Sequence, residues 1–132
     1  MGNNNLVGTI PNFIGKFHSL IFLSLKSNNL TGCIPHSISG LIYLVSLILS
    51  KNNLEGPIPK GIGNCTSLMV LSVHSNKLSG TLPTSLAYCT KILFIDLSVN
   101  GFTSELPRFF SFLHQLSVLS FAHNNFHGGI PK

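Results

Sequence analysis

Ser72, His74 and Asp96 are the side chains whose types and spacing come nearest to catalytic chemistry. A serine, an imidazole and a carboxylate are the parts of a nucleophilic relay. In it the imidazole takes the serine proton and the carboxylate holds the imidazole. His74 follows Ser72 by two residues, while Asp96 stands well beyond both. Ser72 and Asp96 come together only in a chain that returns to the same place at the interval between them, and this one does.

An Ile-Pro or Leu-Pro pair recurs at Ile10, Ile34, Ile58, Leu82, Leu106 and Ile130, every step equal to the interval from Ser72 to Asp96. Other columns keep the register. Asn4, Asn28, Asn52, Asn76, Asn100 and Asn124 form one without exception. Two residues on come Leu6, Leu30, Leu54, Leu78, Phe102 and Phe126, and then Gly8, Gly32, Gly56 and Gly80, with Ser104 as a break before Gly128. Before each Asn lie Leu20, Leu23 and Leu25 and their equivalents. Leu23 and Leu25 flank Ser24, the period-two pattern of a strand with one buried face. Such a strand cannot bury its face alone, so successive copies stack into a parallel sheet over a continuous core. One strand per repeat is expected, centred on Ser24, Ile48, Ser72, Asp96 and Ser120, in a single sheet. The Asn amide carries donors and an acceptor, which suits a buried turn with unpaired backbone groups. The Gly column suits a turn of positive φ. After the prolines, Ile14, Phe17 and Leu20 are spaced by three, as in a 3₁₀ turn on the convex side. The fold class expected is a curved right-handed stack of about five such repeats, a solenoid. It comprises a partial repeat at 4–11 and full repeats at 12–35, 36–59, 60–83, 84–107 and 108–131, all one domain spanning 1–132.

Composition agrees. Apolar residues make up 44% of the 132 and charged residues 8%, which excludes a disordered chain. The net charge of +5 comes without a run of Lys or Arg and without basic residues interleaved with aromatics, so nucleic acid is not an expected partner. No signal peptide opens the sequence, and the apolar run near Leu41–Leu49 is too short to span a bilayer. No cofactor or metal motif is present. Three cysteines do not make a complete disulfide framework. Cys65 and Cys89 share the inward column of Leu41 and are expected to be unbridged core residues, although adjacent repeats bring them near disulfide range. Cys33 is expected to be more exposed.

Repeat proteins of this kind bind on the concave sheet face. Its outward positions follow from the alternation: Phe22, Ser46, Val70, Phe94 and Val118; Ser24, Ile48, Ser72, Asp96 and Ser120; Lys26, Ser50, His74, Ser98 and Ala122. Phe22 and Phe94 are candidate contact anchors. Phe22, Ser24, Lys26, Val70, Ser72, His74, Phe94, Asp96 and Ser98 form the candidate binding surface. On so open a face, with no oxyanion hole, Ser72, His74 and Asp96 make a polar binding patch and not an enzyme centre. After each proline stands Asn12, His36, Lys60, Thr84, Arg108 or Lys132, and four of these six can be cationic. That sparse stripe could meet an acidic polysaccharide or another acidic partner.

Segments such as Asn28-Asn29-Leu30-Thr31-Gly32-Cys33-Ile34-Pro35 and Asn52-Asn53-Leu54-Glu55-Gly56-Pro57-Ile58-Pro59 resemble the plant-type leucine-rich repeat, the repeat of receptor-like kinase and receptor-like protein ectodomains. The resemblance covers nearly the whole chain. It implies binding of a peptide or protein ligand, or of a co-receptor, in signalling or defence perception. The expected location is the outer face of the plasma membrane, with the membrane reached only through other parts of a parent protein. The alternative is an extracellular inhibitor of a cell-wall-degrading enzyme, similar to the polygalacturonase inhibitors. Paired-Cys caps and kinase motifs of a complete receptor are absent, so an uncapped fragment is expected, with Leu6 and Ile10 exposed on its first face and Leu116, Leu119, Phe121 and Phe126 on its last. Asn29-Leu30-Thr31 and Asn64-Cys65-Thr66 have the acceptor pattern for N-glycosylation and fit an extracellular parent.

Overall fold

The period of the sequence is the pitch of a coil. A computed structural model describes residues 5–103 and 107–126. In chain order its strands are β1 (Val7–Thr9), β2 (Phe22–Ser24), β3 (Asn29–Thr31), β4 (Ser46–Ile48), β5 (Glu55–Gly56), β6 (Val70–Ser72), β7 (Lys77–Gly80), β8 (Phe94–Asp96), β9 (Gly101–Phe102) and β10 (Val118–Ser120). Five short 3₁₀ helices, separated from one another by two strands each, lie at Asn12–Lys16, His36–Gly40, Lys60–Asn64, Thr84–Tyr88 and Arg108–Phe112.

β2, β4, β6, β8 and β10 form one parallel sheet, and each residue pairs with its equivalent one repeat away: Leu23 with Leu47, Leu47 with Leu71, Leu71 with Ile95, Ile95 with Leu119. The strands centre on these inward residues, one position before the expected Ser24, Ile48, Ser72, Asp96 and Ser120. Bonds between coils nevertheless continue past the strand, from Leu25 N to Ile48 O at 2.8 Å and from Ser27 N to Ser50 O at 2.9 Å. They run on into the turn, where Asn52 N, Asn76 N and Asn100 N bond to Ser75 O, Val99 O and His123 O at 3.2 Å. Ser27, Lys51, Ser75, Val99 and His123 all sit at positive φ, between 56° and 59°. The left-handed conformation therefore falls one residue before the Asn column, and the β-branched Val99 adopts it at a steric cost.

A single sheet was too few. Beyond the Asn column, β1 pairs with β3, and β5 with β7 and β7 with β9, again in parallel. A bridge from Cys33 to Glu55 links the two sets. The partners here, such as Val7 with Asn29 and Glu55 with Lys77, fall two positions short of a full repeat, so this side is staggered against the main sheet. Gly8, Gly32, Gly56 and Gly80 close it with φ of 75–90°.

The 3₁₀ segments follow from proline. Each begins after a Pro in extended conformation, and Ile14 N bonds to Pro11 O, Phe17 N to Ile14 O and Leu20 N to Phe17 O. Bonds of that length place every third side chain on one line, which explains the spacing of Ile14, Phe17 and Leu20. Leu41, Cys65 and Cys89, in the column of Phe17, are fully buried. Ile10, expected on the open first face, is buried at 6% in the same core cluster as Leu30 and Ile34, because one neighbouring coil is enough to cover it. Leu6 is exposed at 37%, and Leu116, Leu119, Phe121 and Phe126 are half-buried.

Candidate functional site

The Asn column positions the sheet. Asn76 Nδ2 donates to Leu49 O and Val73 O at 3.0 Å each and to His74 O at 3.3 Å, while its Oδ1 accepts from Leu54 N at 3.0 Å. Asn52 repeats the pattern with Leu25 O, Leu49 O, Ser50 O and Leu30 N. Asn100 does so with Val73 O, Leu97 O, Ser98 O and Leu78 N, and Asn124 with Leu97 O, Phe121 O, Ala122 O and Phe102 N. Asn28 donates to Leu25 O and Lys26 O and accepts from Leu6 N. Asn28, Asn52 and Asn76 are buried, while Asn100 and Asn124 are half-buried. Each of these amides bonds the turn of its own coil and the backbone of the preceding coil, which fixes the end of one strand against the next. Asn4 lies outside the described residues.

On the outward face of the sheet Phe22 is 69% exposed, and Val70 and Phe94 line up beside it half-buried. Ser24 and Asp96 are half-buried, Ser72 is buried, Lys26 is exposed, and His74 and Ser98 are half-buried. Asp96 and Ser72 pair directly across β6 and β8, yet the hydrogen bonds of Asp96 and His74 run to other partners. Asp96 Oδ1 accepts from Ser98 Oγ at 2.6 Å and Ser98 N at 3.0 Å, and His74 Nδ1 meets Ser75 Oγ at 3.0 Å. The carboxylate holds its own turn and the imidazole faces the neighbouring hydroxyl. Serine, imidazole and carboxylate stand near one another as a polar strip.

Alternation alone missed a further column, Ile21, Val45, Met69 and Leu93. Ile21 is 46% exposed and the other three are half-buried. The carbonyl of Ile21 accepts from both Val45 N and Ser46 N, that of Val45 from Met69 N and Val70 N, and that of Met69 from Leu93 N and Phe94 N. One acceptor taking two successive donors is a local break in the pleat, so these residues do not follow the inward direction that period two assigns them. Their signal was an unbroken aliphatic column in register with the repeat. With Phe22, Val70 and Phe94 they give the face an apolar leading edge, while Ser24, Asp96, Lys26, His74 and Ser98 give it a polar trailing edge.

Cys65 and Cys89 are free thiols in the core, and Cys33 is free and exposed. Cys89 Sγ donates to Ile62 O and Cys65 O at 3.4 Å, and Cys65 Sγ to Ile38 O at 3.5 Å. Burial pushes the Cys65 thiol up to about 11. Burial, with Cys65 as a like-charged neighbour, pushes Cys89 up to about 12. Asn12, His36, Lys60, Thr84 and Arg108 each begin a 3₁₀ segment and are exposed, and Lys132 lies outside the described residues. Among the described residues no group of three or more His, Cys, Asp or Glu could hold a metal ion, and no helix is long and apolar enough to cross a membrane.

The Leucine Rich Repeat family profile matches residues 19–41, 43–65 and 67–89, just over half of the chain. No match to a curated protein sequence was found. Among solved structures, the chain is similar to the ectodomain of the membrane receptor kinase GASSHO1/SCHENGEN3 from Arabidopsis thaliana in complex with CASPARIAN STRIP INTEGRITY FACTOR 2. The identity is 41% and the TM-score 0.96, covering 98% of this chain and 16% of that one. It is similar to the plant peptide hormone receptor RGFR1 in complex with RGF2, at 35% identity and TM-score 0.97, covering 98% of this chain and 21% of that one. It is similar also to the Arabidopsis receptor kinase HAESA in complex with the peptide hormone IDA and the co-receptor SERK1, at 34% identity and TM-score 0.96, covering 99% of this chain and 22% of that one. The chain thus spans about a fifth of the length of these receptor chains.

Proposed function

The chain belongs to the leucine-rich repeat family, and from that premise we propose that it is a peptide- or protein-binding segment of a plant cell-surface receptor ectodomain. The observation that carries the reading is the likeness over 98% of the chain, at 41% identity, to a receptor-kinase ectodomain. The three matched structures are receptors, which lends the enzyme-inhibitor alternative no support. In this reading the partner is an extended peptide or a co-receptor, and the location is the outer face of the plasma membrane.

The face suits a peptide for a physical reason. An extended chain has apolar side chains to bury and backbone amides to satisfy. The leading edge offers Phe22, Val70 and Phe94 for the first need. Ser24, Ser72, His74, Asp96 and Ser98 offer hydroxyls, an imidazole and a carboxylate for the second, and Lys26 offers a cation for an acidic group. Nothing in this recognition calls for bond breaking, and the chain is read as a binder and not an enzyme. His36, Lys60 and Arg108 are exposed on that edge, with Thr84 interrupting the line between the last two. A polysaccharide along that edge is a weaker candidate than a peptide on the sheet, because so few charged side chains give it little to hold.

The test is selection of peptides from a displayed random library on the 132-residue chain, followed by affinity measurement on variants. The expected result is that Phe94→Ala weakens the selected peptides by about tenfold or more, the scale of an interface anchor worth over about 1 kcal/mol. Phe112→Ala, an exposed aromatic on the opposite side of the coil, should leave them unchanged. Equal loss in both variants, or loss only in the second, rejects the concave face as the site.

A further inference from the structure

We propose that Asn29 and Asn64 both carry N-linked glycans, placed so that they cover the flank and the convex side of the solenoid and leave the five-stranded sheet open. The inference rests on the secretory route that the receptor reading implies.

Both acceptors have the Asn-x-Thr pattern, and the fold exposes what the modification needs. Asn29 is exposed on β3, on the flank beyond the Asn column. Its backbone is held by Leu6 O at 2.9 Å while its side chain faces solvent beside the exposed Val7 and Thr31. Asn64 is exposed at the last residue of the 3₁₀ segment Lys60–Asn64, and Thr66 is exposed two residues on. Between them Cys65 is fully buried, which anchors the acceptor backbone and aims its neighbours outward. Asn64 Nδ2 reaches Ser39 O only at 3.5 Å, a contact whose loss costs little.

The Asn residues of the bonded column are excluded from this chemistry by the repeat itself. Two positions after Asn28, Asn52, Asn76 and Asn100 stand Leu30, Leu54, Leu78 and Phe102, whose burial the core requires. A Thr or Ser there would be a core defect, so the acceptor pattern cannot arise on the Asn that holds the coils together. The flank position of Asn29 is an acceptor in this repeat alone among the described ones. Asn53 is followed by Leu54-Glu55, and Lys77 and Gly101 replace Asn in the next two.

In the transfer, Asn Nδ2 attacks the anomeric carbon of an oligosaccharide linked to a lipid pyrophosphate. A C–N bond forms and the C–O bond to the pyrophosphate breaks. The electron pair leaves with the pyrophosphate, and one Nδ2 proton passes to a base of the transferase. One N–H remains on each modified amide.

The test is secretion of the full 132-residue chain from a eukaryotic host behind a cleavable leader, followed by intact mass and glycopeptide mapping. Both sites should be occupied in most folded molecules. Asn29→Gln and Asn64→Gln should each remove one glycan mass, Thr31→Ala should remove the Asn29 glycan, and Thr31→Ser should retain it. A folded, secreted chain in which either asparagine is mostly unmodified overturns the assignment of that site. Peptide affinity is measured separately on unglycosylated chain, so failure of the binding reading and failure of this one are distinguishable. In the glycosylated chain the same peptides should bind with unchanged affinity, and a loss that Asn29→Gln or Asn64→Gln restores would refute the open-sheet placement.

Discussion

Asn76 ties two coils together with one amide. It serves the Leu54 N–H and the carbonyls of Leu49, Val73 and His74 in a buried setting that water does not reach. Removing the side chain strands those groups, and the penalty is the desolvation of unpaired donors and acceptors, not the modest net worth of a hydrogen bond. Asn76→Ala should therefore lower the stability by about 1–3 kcal/mol. Asn124→Ala should cost less, because that residue is only half-buried and water can replace it. Urea unfolding of both variants checks this, and a neutral Asn76→Ala would count against the bonded column as the source of register. The single residue is also where sequence reasoning was strongest and weakest. The side chain with both donors and an acceptor announced the bonded column. Nothing in the letters Ser27, Lys51, Ser75, Val99 and His123 announced positive φ, since none is glycine and the column has no common chemistry. Likewise Ser72, His74 and Asp96 could be placed side by side from spacing alone, but which hydroxyl each would bond depended on the local turn.

The elements were legible to the extent that their side chains repeat. Prolines and the spacing of three gave the 3₁₀ segments, and alternation gave the main sheet to within one residue. The second ladder was invisible because its pairs fall short of the repeat interval, and its partners, such as Glu55 with Lys77 and Ser79 with Gly101, share no chemistry to compare. The contact between successive 3₁₀ segments brings two ionisable groups, Cys65 and Cys89, into the core side by side. Their thiols are raised from 9.0 to about 11 and about 12. A thiol whose folded pKa is raised favours the neutral form. Its contribution is fully present below about pH 9 and is lost as the pH rises through the folded values. Stability should then decline between about pH 9 and 12, and Cys65→Ala/Cys89→Ala should show a shallower decline over that window than the parent chain. Denaturant midpoints at neutral pH and in the middle of that window measure it, and identical pH slopes for the two proteins would show that the buried thiols do not matter. At neutral pH only Cys33 should react with a thiol reagent in the folded chain.

At the scale of the whole molecule, stability is a sum of neighbouring coils, and each coil depends on a partner to cover it. Phe17 is 52% exposed where its equivalents Leu41, Cys65 and Cys89 are fully buried, and Phe13 meets it edge-on at 6.3 Å with 58% of its own surface open. Among the described residues β2 and β10 are the outer strands of the sheet, and the open edge of an outer strand templates further pairing. The 132-residue chain expressed alone should therefore associate through its end faces, and fusion of capping repeats at both ends should give a monomer. Light scattering compares the two, and a monomeric bare chain that unfolds cooperatively would contradict the expectation. What the stack offers a partner is the sheet, and hydrogen exchange with and without a selected peptide reports directly which side of each coil is covered. A peptide on the sheet should slow exchange in the sheet strands and their trailing turns, around 22–27, 70–75 and 94–99, and leave the 3₁₀ segments at 60–64 and 84–88 unchanged. Slowing confined to the 3₁₀ side, with the sheet unaffected, would contradict it.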